Sequence, residues 1–356
     1  MNIADATHSY EKWMRSCVKV IESHLRLKHE QMRTSPFAFL RGSYYRWAEQ
    51  WPKICSDLCH CPLVPAVGDL HVDSFGTWRD GEGRLCWGVD DFDESYPLPY
   101  TNDLVRLATS LRLVIHSGHL GIKFRTGCDA ILEGYRSTLR DGGRPIVLAE
   151  DRRTLLELGI DAIKPPDNFW GKIDRLPVPR RGAPADAKRA LRNSMPKSLK
   201  YKIVSRQAGL GSLGQQRYVA VGTWEGGQIA REAKLLVPSA SVWLKGHGAK
   251  GGQNHYESTM KAAIRSHDPF QRVAGRWLIR RLSPDSNPIY IEDLPRKRDD
   301  ETLLSAMGSE TANVHLGKQN AVNTILRDLN GKKSNWLRSA AKQMAATSVD
   351  DWKAIR

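Results

Sequence analysis

The segment LCWGVDDFD, residues 85–93, constrains the chain most, because three acids fall within four residues at the end of an otherwise apolar strand. Asp90, Asp91 and Asp93 would repel one another if buried without a cation. A second acidic loop, GDLHVDSFG, follows the short apolar run PLVPAV and carries Asp69, His71 and Asp73. With the turn DGEGR between them, these segments read as a strand, loop, strand unit with acids at the strand ends. Phosphoryl transfer requires such a set: one carboxylate against the acceptor hydroxyl and oxygen ligands for magnesium, since catalysis there is mainly positioning and charge neutralisation. Asp69 suits the first role. Asp91 suits the second, with Asp93 beside it.

GLGSLG, Gly209 to Gly214, has the G-x-G-x-x-G spacing that lets backbone amides approach phosphates, and its context discriminates between uses. A dinucleotide-binding loop runs from a strand into a helix, whereas QQRYVAVGTWEGGQIAREAKLLV reads as strand, turn, strand. A glycine loop joining two strands is what protein kinases place over ATP, so Gly209, Gly211, Ser212 and Gly214 are candidate nucleotide contacts. A kinase also needs a lysine on the following strand. Lys234 is there, with Arg231 as a rival, and their odd spacing sends them to opposite faces. Glu257, on the next predicted helix, is the expected acidic partner, and Glu232 is the other available acid.

The stretch to about Leu27 predicts one helix with Trp13, Val18, Val20, Ile21 and Leu25 buried. A Ser-Pro break then opens SPFAFLRGSYYRWAEQW, where Arg41 can reach a phosphate or pair with a nearby carboxylate. Further helices are expected from Thr101 or Asn102, over Glu133 to Leu139, and around Ala149 to Leu158. Prolines and basic residues between Pro165 and Lys200 suggest a crossing between lobes. From Val204 to Leu294 the order is β, β, α, β, β, the last two strands being WLIRRL and PIYIEDL. Helices return at Glu301 to Leu316, Asn320 to Leu329 and Ser334 to Met344.

The 356 residues, 40% hydrophobic and 26% charged, have the balance of a soluble globular protein, and no apolar run reaches membrane-spanning length. The start lacks a secretion signal, so a cytoplasmic location is expected. The net charge of +15 attracts phosphates, nucleic acids or acidic membranes without choosing among them. Arg180 to Lys202 is strongly basic but has few aromatics for base stacking, and reads as a solvated linker or helix face. The six cysteines are expected to be reduced thiols. Cys55, Cys59, His60 and Cys61 offer zinc ligands but lack paired C-x-x-C spacing.

The segments SPFAFLRG, GDLHVDSFG, DDFDE and PYTNDLVRLATS resemble the uncharacterised bacterial domain-of-unknown-function family 2252, grouped with protein-kinase-like proteins near the aminoglycoside and choline kinases. The resemblance implies a two-lobed α+β, protein-kinase-like fold with ATP and Mg2+ as cofactors. In such kinases the catalytic loop reads G-D-x-H-x-x-N and the metal loop D-x-D. By position this implies Asp69, with His71 in its loop, as the catalytic pair, Asp91 as the metal Asp, and Asp103 as the buried Asp that braces the site. Ser74 stands where the loop's metal-binding Asn would be, with Asp73 as a substitute ligand. Arg231, Glu232 and Ala233 stand where the family reads K-E-A, leaving Arg231 and Lys234 as alternatives.

The catalytic and metal motifs precede the glycine loop, the reverse of an ordinary kinase, which implies a circular permutation. Residues 1–200 would carry the catalytic part of a helical lobe, 201–295 a β-rich nucleotide lobe, and 296–356 the helices completing the first. TLLSAMGSETANVHLGK resembles the helix that leads into a catalytic loop, so Leu316 is expected near Val67. The leading expectation is an ATP-dependent phosphotransferase for a small-molecule acceptor. A nucleotide-binding regulatory module without turnover comes second, and a basic nucleic-acid-binding protein third.

Overall fold

The apolar stripe at the start of the chain folds as two helices rather than one: α1 (Ile3–Cys17), capped by the Asn2 side chain, and α2 (Glu22–Met32). Val18, Val20 and Ile21 are β-branched and disfavour helix. The Ile21 amide donates instead to Gly214 O at 2.8 Å. The structure is a computed structural model describing residues 1–151, 163, 165–246, 254–295 and 298–356. In α3 (Pro36–Gly42) Ser35 accepts from the Ala38 amide and proline occupies the first turn, the start that Ser-Pro predicts. Helix α4 (Tyr44–Ile54) follows directly.

Two short antiparallel ribbons then bring the acidic loops together. Strand β1 (Leu63–Ala66) pairs with β4 (Tyr96–Pro99), and β2 (Phe75–Arg79) pairs with β3 (Leu85–Val89). Phe75 lies opposite Val89, so Ser74 and Asp90 are neighbours, and the Asp90 amide donates to Ser74 O at 3.1 Å. Helix α5 (Tyr100–His116) is buried on nearly every side despite carrying Asn102, Asp103, Arg106, Thr109 and Ser110. Each of those polar groups therefore needs an internal partner.

Helix α6 (Phe124–Asp141) and the short α7 (Leu148–Asp151) come next, and residues 152–158 of the helix expected around Ala149 to Leu158 lie outside the described residues. The proline-rich crossing holds two helices, α8 (Pro166–Asp174) and α9 (Ala185–Arg192). Pro165 and Pro166 open the first of these, and Pro184 precedes the second.

A five-stranded antiparallel sheet follows, in the order β5-β6-β7-β9-β8: β5 (Lys202–Ser205), β6 (Arg217–Trp224), β7 (Gly227–Leu235), β8 (Arg272–Ala274) and β9 (Trp277–Leu282). Between β7 and β8 lie α10 (Ala240–Leu244) and α11 (Tyr256–Ala262). PIYIEDL is not a strand of this sheet. Its backbone docks on the first acidic loop instead, with the Ile289 amide on Phe75 O at 2.8 Å and the Ile291 amide on the Asp73 carboxylate at 3.0 Å. The edge position beside β9 goes to the three residues of β8, too few to leave a periodic signal.

The chain ends in α12 (Asp300–His315), α13 (Val322–Gly331) and α14 (Trp336–Ile355). One apolar core joins the N-terminal helices, α5, α6 and α12 to the sheet face of Ala220, Ala233 and Ile279, while Phe169 and Ile173 of α8 pack with Val219, Val221 and Leu282 on the other. The architecture is mixed α+β. Among the described residues no helix is long and apolar enough to cross a membrane.

Helices α6 and α12 cross where Gly134 faces Ser305 O and Gly308 faces Ile131 O, and a Cβ at either glycine would collide with that backbone. Overpacking such a crossing costs about 1–3 kcal/mol. Gly308→Ala should therefore lower the melting temperature by several degrees, whereas Gly331→Ala, facing open space, should leave it nearly unchanged. Equal melting curves for the two variants would contradict the crossing.

Candidate active site

Asp103, fully buried at the start of α5, organises the first acidic loop. Its Oδ2 accepts from the Val67 amide (2.7 Å) and its Oδ1 from the Gly68 amide (3.0 Å) and the Asn102 side chain (3.0 Å). His315 Nε2 completes the set at 3.1 Å, with Tyr135 on its other nitrogen. The carboxylate therefore joins α5, α12 and the end of β1. Gly68 sits at φ +81°, where a side chain would also strike Glu94 O.

Within the loop, the Ser74 hydroxyl accepts from the His71 amide (3.0 Å) and lies 3.1 Å from Asp69 O, to which it donates. His71 Nδ1 accepts from the Asp73 amide at 3.2 Å. Burial first, then Arg41 and Arg106, hold the His71 pKa well below its usual value, so the ring is neutral. Asp73 accepts from the Ile291 amide on one oxygen and from Arg41 Nη1 (2.9 Å) on the other. Of the two roles open to Arg41, the structure gives it the carboxylate.

Asp69 faces the cleft. Arg106, one turn beyond Asp103 on α5, grips its Oδ1 through Nε at 2.8 Å. Burial raises the Asp69 pKa and Arg106 opposes that rise. The glycine loop, between β5 and β6, curls over this carboxylate: a Cβ on Gly211 would lie 3.3 Å from Arg41 O and 3.7 Å from Asp69 Oδ2. Gly209 (φ +75°) and Gly214 (φ +100°) adopt a backbone that other residues reach only with strain. Ser212 Oγ receives Arg217, and Lys28 of α2 donates to Gly211 O at 2.8 Å.

Lys234 and Arg231 take opposite faces of β7, as their spacing requires. Lys234 is buried and its ammonium pairs with Asp91 (3.3 Å) and with Asp93. Arg231 instead stacks on Phe270, 3.8 Å from the ring centre. The expected pairing of Lys234 with Glu257 does not form. Glu257 binds Lys261 at 2.9 Å, one turn along its own helix, and Glu232 collects Arg206, Arg217 and Arg280.

Asp69, Asp91, Asp93, Lys28, the glycine loop and Arg280 line one cleft with an empty volume of about 1050 Å³, part of it open solvent. Asp91 lines the cleft with its side chain 49% exposed. Burial raises its pKa, but Lys234, Arg217 and Arg280 outweigh that and leave it lowered. Asp93 shifts upward, through burial and then the charge of Asp91. Asp93 Oδ1 is buried without a hydrogen-bond partner.

That orphaned oxygen beside the open Asp91 fits magnesium, which takes one or two carboxylates and fills its shell with phosphates and water. Asp73 and Ser74, expected as further ligands, are tied to the loop and to Arg41. Among the described residues no three acidic, His or Cys side chains gather as metal ligands, and this includes Cys55, Cys59, His60 and Cys61. Cys59 donates to Cys55 O, Cys61 meets Lys332, and all six cysteines are free thiols.

Several residues here escape the sequence reading. Arg106 had a signal, as a cation in a largely apolar helix three residues after an acid. Lys28 had none, since its partner is 183 residues away.

Residues 19–164 match a family described as an uncharacterized protein conserved in bacteria (DUF2252). The match covers α2 to α7, and so includes both acidic loops, Asp103 and Arg106. No curated protein and no solved structure matches the chain.

Asp103→Asn turns one acceptor into a donor facing a backbone amide, and breaking such a buried network costs about 3 kcal/mol. The variant should melt several degrees lower and become sensitive to proteolysis near Val67. Unchanged melting would contradict the role given to Asp103. Burial also raises the carboxyl of Glu310 to about 7. Its proton is held more tightly in the folded state, so stability is full below the unfolded pKa near 4.5 and is lost as pH rises through about 7. Thermal melts from pH 5 to pH 8 should show a smaller fall for Glu310→Gln than for wild type.

Proposed function

We propose that the cleft binds ATP with Mg2+ and transfers the terminal phosphoryl group to a small-molecule acceptor. One observation carries this reading: Asp69 beneath the glycine loop, and the Asp91 and Asp93 that Lys234 bridges, come from segments far apart in sequence and meet at one cleft. The lysine sits on the third strand of the sheet and the glycine loop joins the first two, the arrangement by which kinases hold nucleotide phosphates. Magnesium at Asp91 and Asp93 would neutralise phosphate charge. The acceptor hydroxyl oxygen bonds to the γ-phosphorus as the bond to the β–γ bridging oxygen breaks. ADP leaves, and Asp69 takes the hydroxyl proton. Arg106 favours the ionised form of Asp69 that this requires.

We read the reversed motif order as a circular permutation of a protein-kinase-like fold. In its support, His315 at the end of α12 shares an oxygen of Asp103 with the Val67 amide, so the helix leading to Leu316 ends beside the residue that opens the acidic loop. A second reading, nucleotide binding without turnover, is favoured by the engagement of Ser74 and Asp73 in loop contacts, which leaves two carboxylates for metal.

Calorimetry with ATP, with and without Mg2+, followed by ADP release and a mass-shift screen of cell metabolites, tests both. Asp69→Asn should lower turnover by roughly a hundredfold or more while leaving ATP affinity nearly unchanged. Asp91→Asn should remove the magnesium-dependent part of binding. Wild-type turnover in both variants refutes the assignment, and ATP binding without consumption selects the second reading.

A further inference from the structure

A second cavity, with an empty volume of about 570 Å³, adjoins the cleft and shares Asp90, Arg206, Arg280 and Pro288 with it. Four guanidiniums line it, those of Arg206, Arg265, Arg280 and Arg281, against the carboxyls of Asp90 and Asp268. Asp268 already accepts from Arg281 (3.0 Å) and from the Phe270 amide (2.9 Å). Arg206 and Arg280 each commit one nitrogen to Glu232, which Arg217 also shares.

Two of these forks are held in place with donors to spare. Arg265, 8% exposed, gives Nη1 to Val89 O and lies over Trp78 (4.2 Å) and Phe92 (5.3 Å). Arg281 lies over Phe270 at 4.6 Å and directly opposite Arg231 across the β7–β9 pair, an unfavourable like-charge position. The Nε atoms of Arg265 and Arg281 are buried without partners. Buried charge without a counter-charge is costly, so the positive excess calls for an anion from outside. One fork satisfies a planar carboxylate. Forks arriving from the end of β5, from β9 and from the loop after α11 suit the several oxygens of a tetrahedral dianion.

We propose that this cavity holds the phosphate group of a phosphorylated small molecule, seated beside the cleft as the acceptor. Its role as acceptor rests on the function proposed above; phosphate binding does not.

Calorimetry on the full chain with inorganic phosphate, glycerol 3-phosphate, glycerol and citrate reads the cavity directly. Both phosphates should bind, glycerol should not, and citrate should bind more weakly than glycerol 3-phosphate. Arg281→Gln should weaken phosphate binding by roughly tenfold or more, with Arg281→Lys in between, because lysine keeps the charge but not the fork. Arg281 lines only the second cavity, so ATP affinity should stay within about twofold in both variants. Arg265→Lys, which keeps the charge at the other open fork, gives a second readout if Arg281→Gln does not fold. Equal phosphate affinity in wild type and variants, no phosphate binding by wild type, or tighter binding of citrate would overturn the proposal. Mutual displacement of ATP and inorganic phosphate would assign the cavity to the nucleotide and overturn it as well. Phosphate binding in a wild type that ignores ATP would sink the kinase reading and leave the cavity assignment standing.

Discussion

The rest of the site depends on an ionisable carboxyl placed where no water reaches it. Asp103 is bearable there because four donors surround it, two of them backbone amides of the loop it holds. One turn further along α5, Arg106 uses the same helix face to hold Asp69. A single rigid helix thus fixes both the backbone of the acidic loop and the direction of its carboxylate. Helix α12 supplies the fourth donor, His315, and can come close enough because Gly134 and Gly308 remove the side chains at its crossing with α6. Packing at the glycines and geometry at Asp69 are therefore linked through one hydrogen bond.

Charge is balanced in the cleft by interleaving rather than by pairing. Lys234 is shared between Asp91 and Asp93, and Glu232 among three arginines. Neither arrangement is neutral by itself. The first leaves surplus negative charge beside an orphaned oxygen of Asp93, and the second leaves surplus positive charge on the walls of two adjoining cavities. A cation suits the first place and an oxyanion the second, the two components of a magnesium-bound phosphate.

Much of this was legible in the chain wherever a local pattern caused it. The acidic loops stand out because carboxylates interrupt apolar strands, and Lys234 was separated from Arg231 by strand periodicity alone. The glycine loop was recognisable because strands flank it. What local pattern cannot carry was missed or misread. The first helix breaks at Ile21 because its amide is claimed by Gly214, 193 positions later by numbering. PIYIEDL has strand composition, yet it is drawn out of the sheet by Asp73 and Phe75. Glu257 stands on the next helix, where a partner for the lysine is expected, yet it pairs with the nearer Lys261. In each case a partner distant in sequence, or a closer one on the same element, outweighed the expected contact.

The hydrogen bond between Asp103 and His315 spans 212 residues, and this gives the molecule a history as well as a shape. On a ribosome, the acidic loop emerges long before the helix that closes over it. Until residues 300–315 are released, the Asp103 carboxylate can remain hydrated and the loop amides lack their finished enclosure. The nascent chain therefore carries the acidic loop early without the contacts that enclose it. That enclosure is completed only when α12 docks and His315 reaches Asp103.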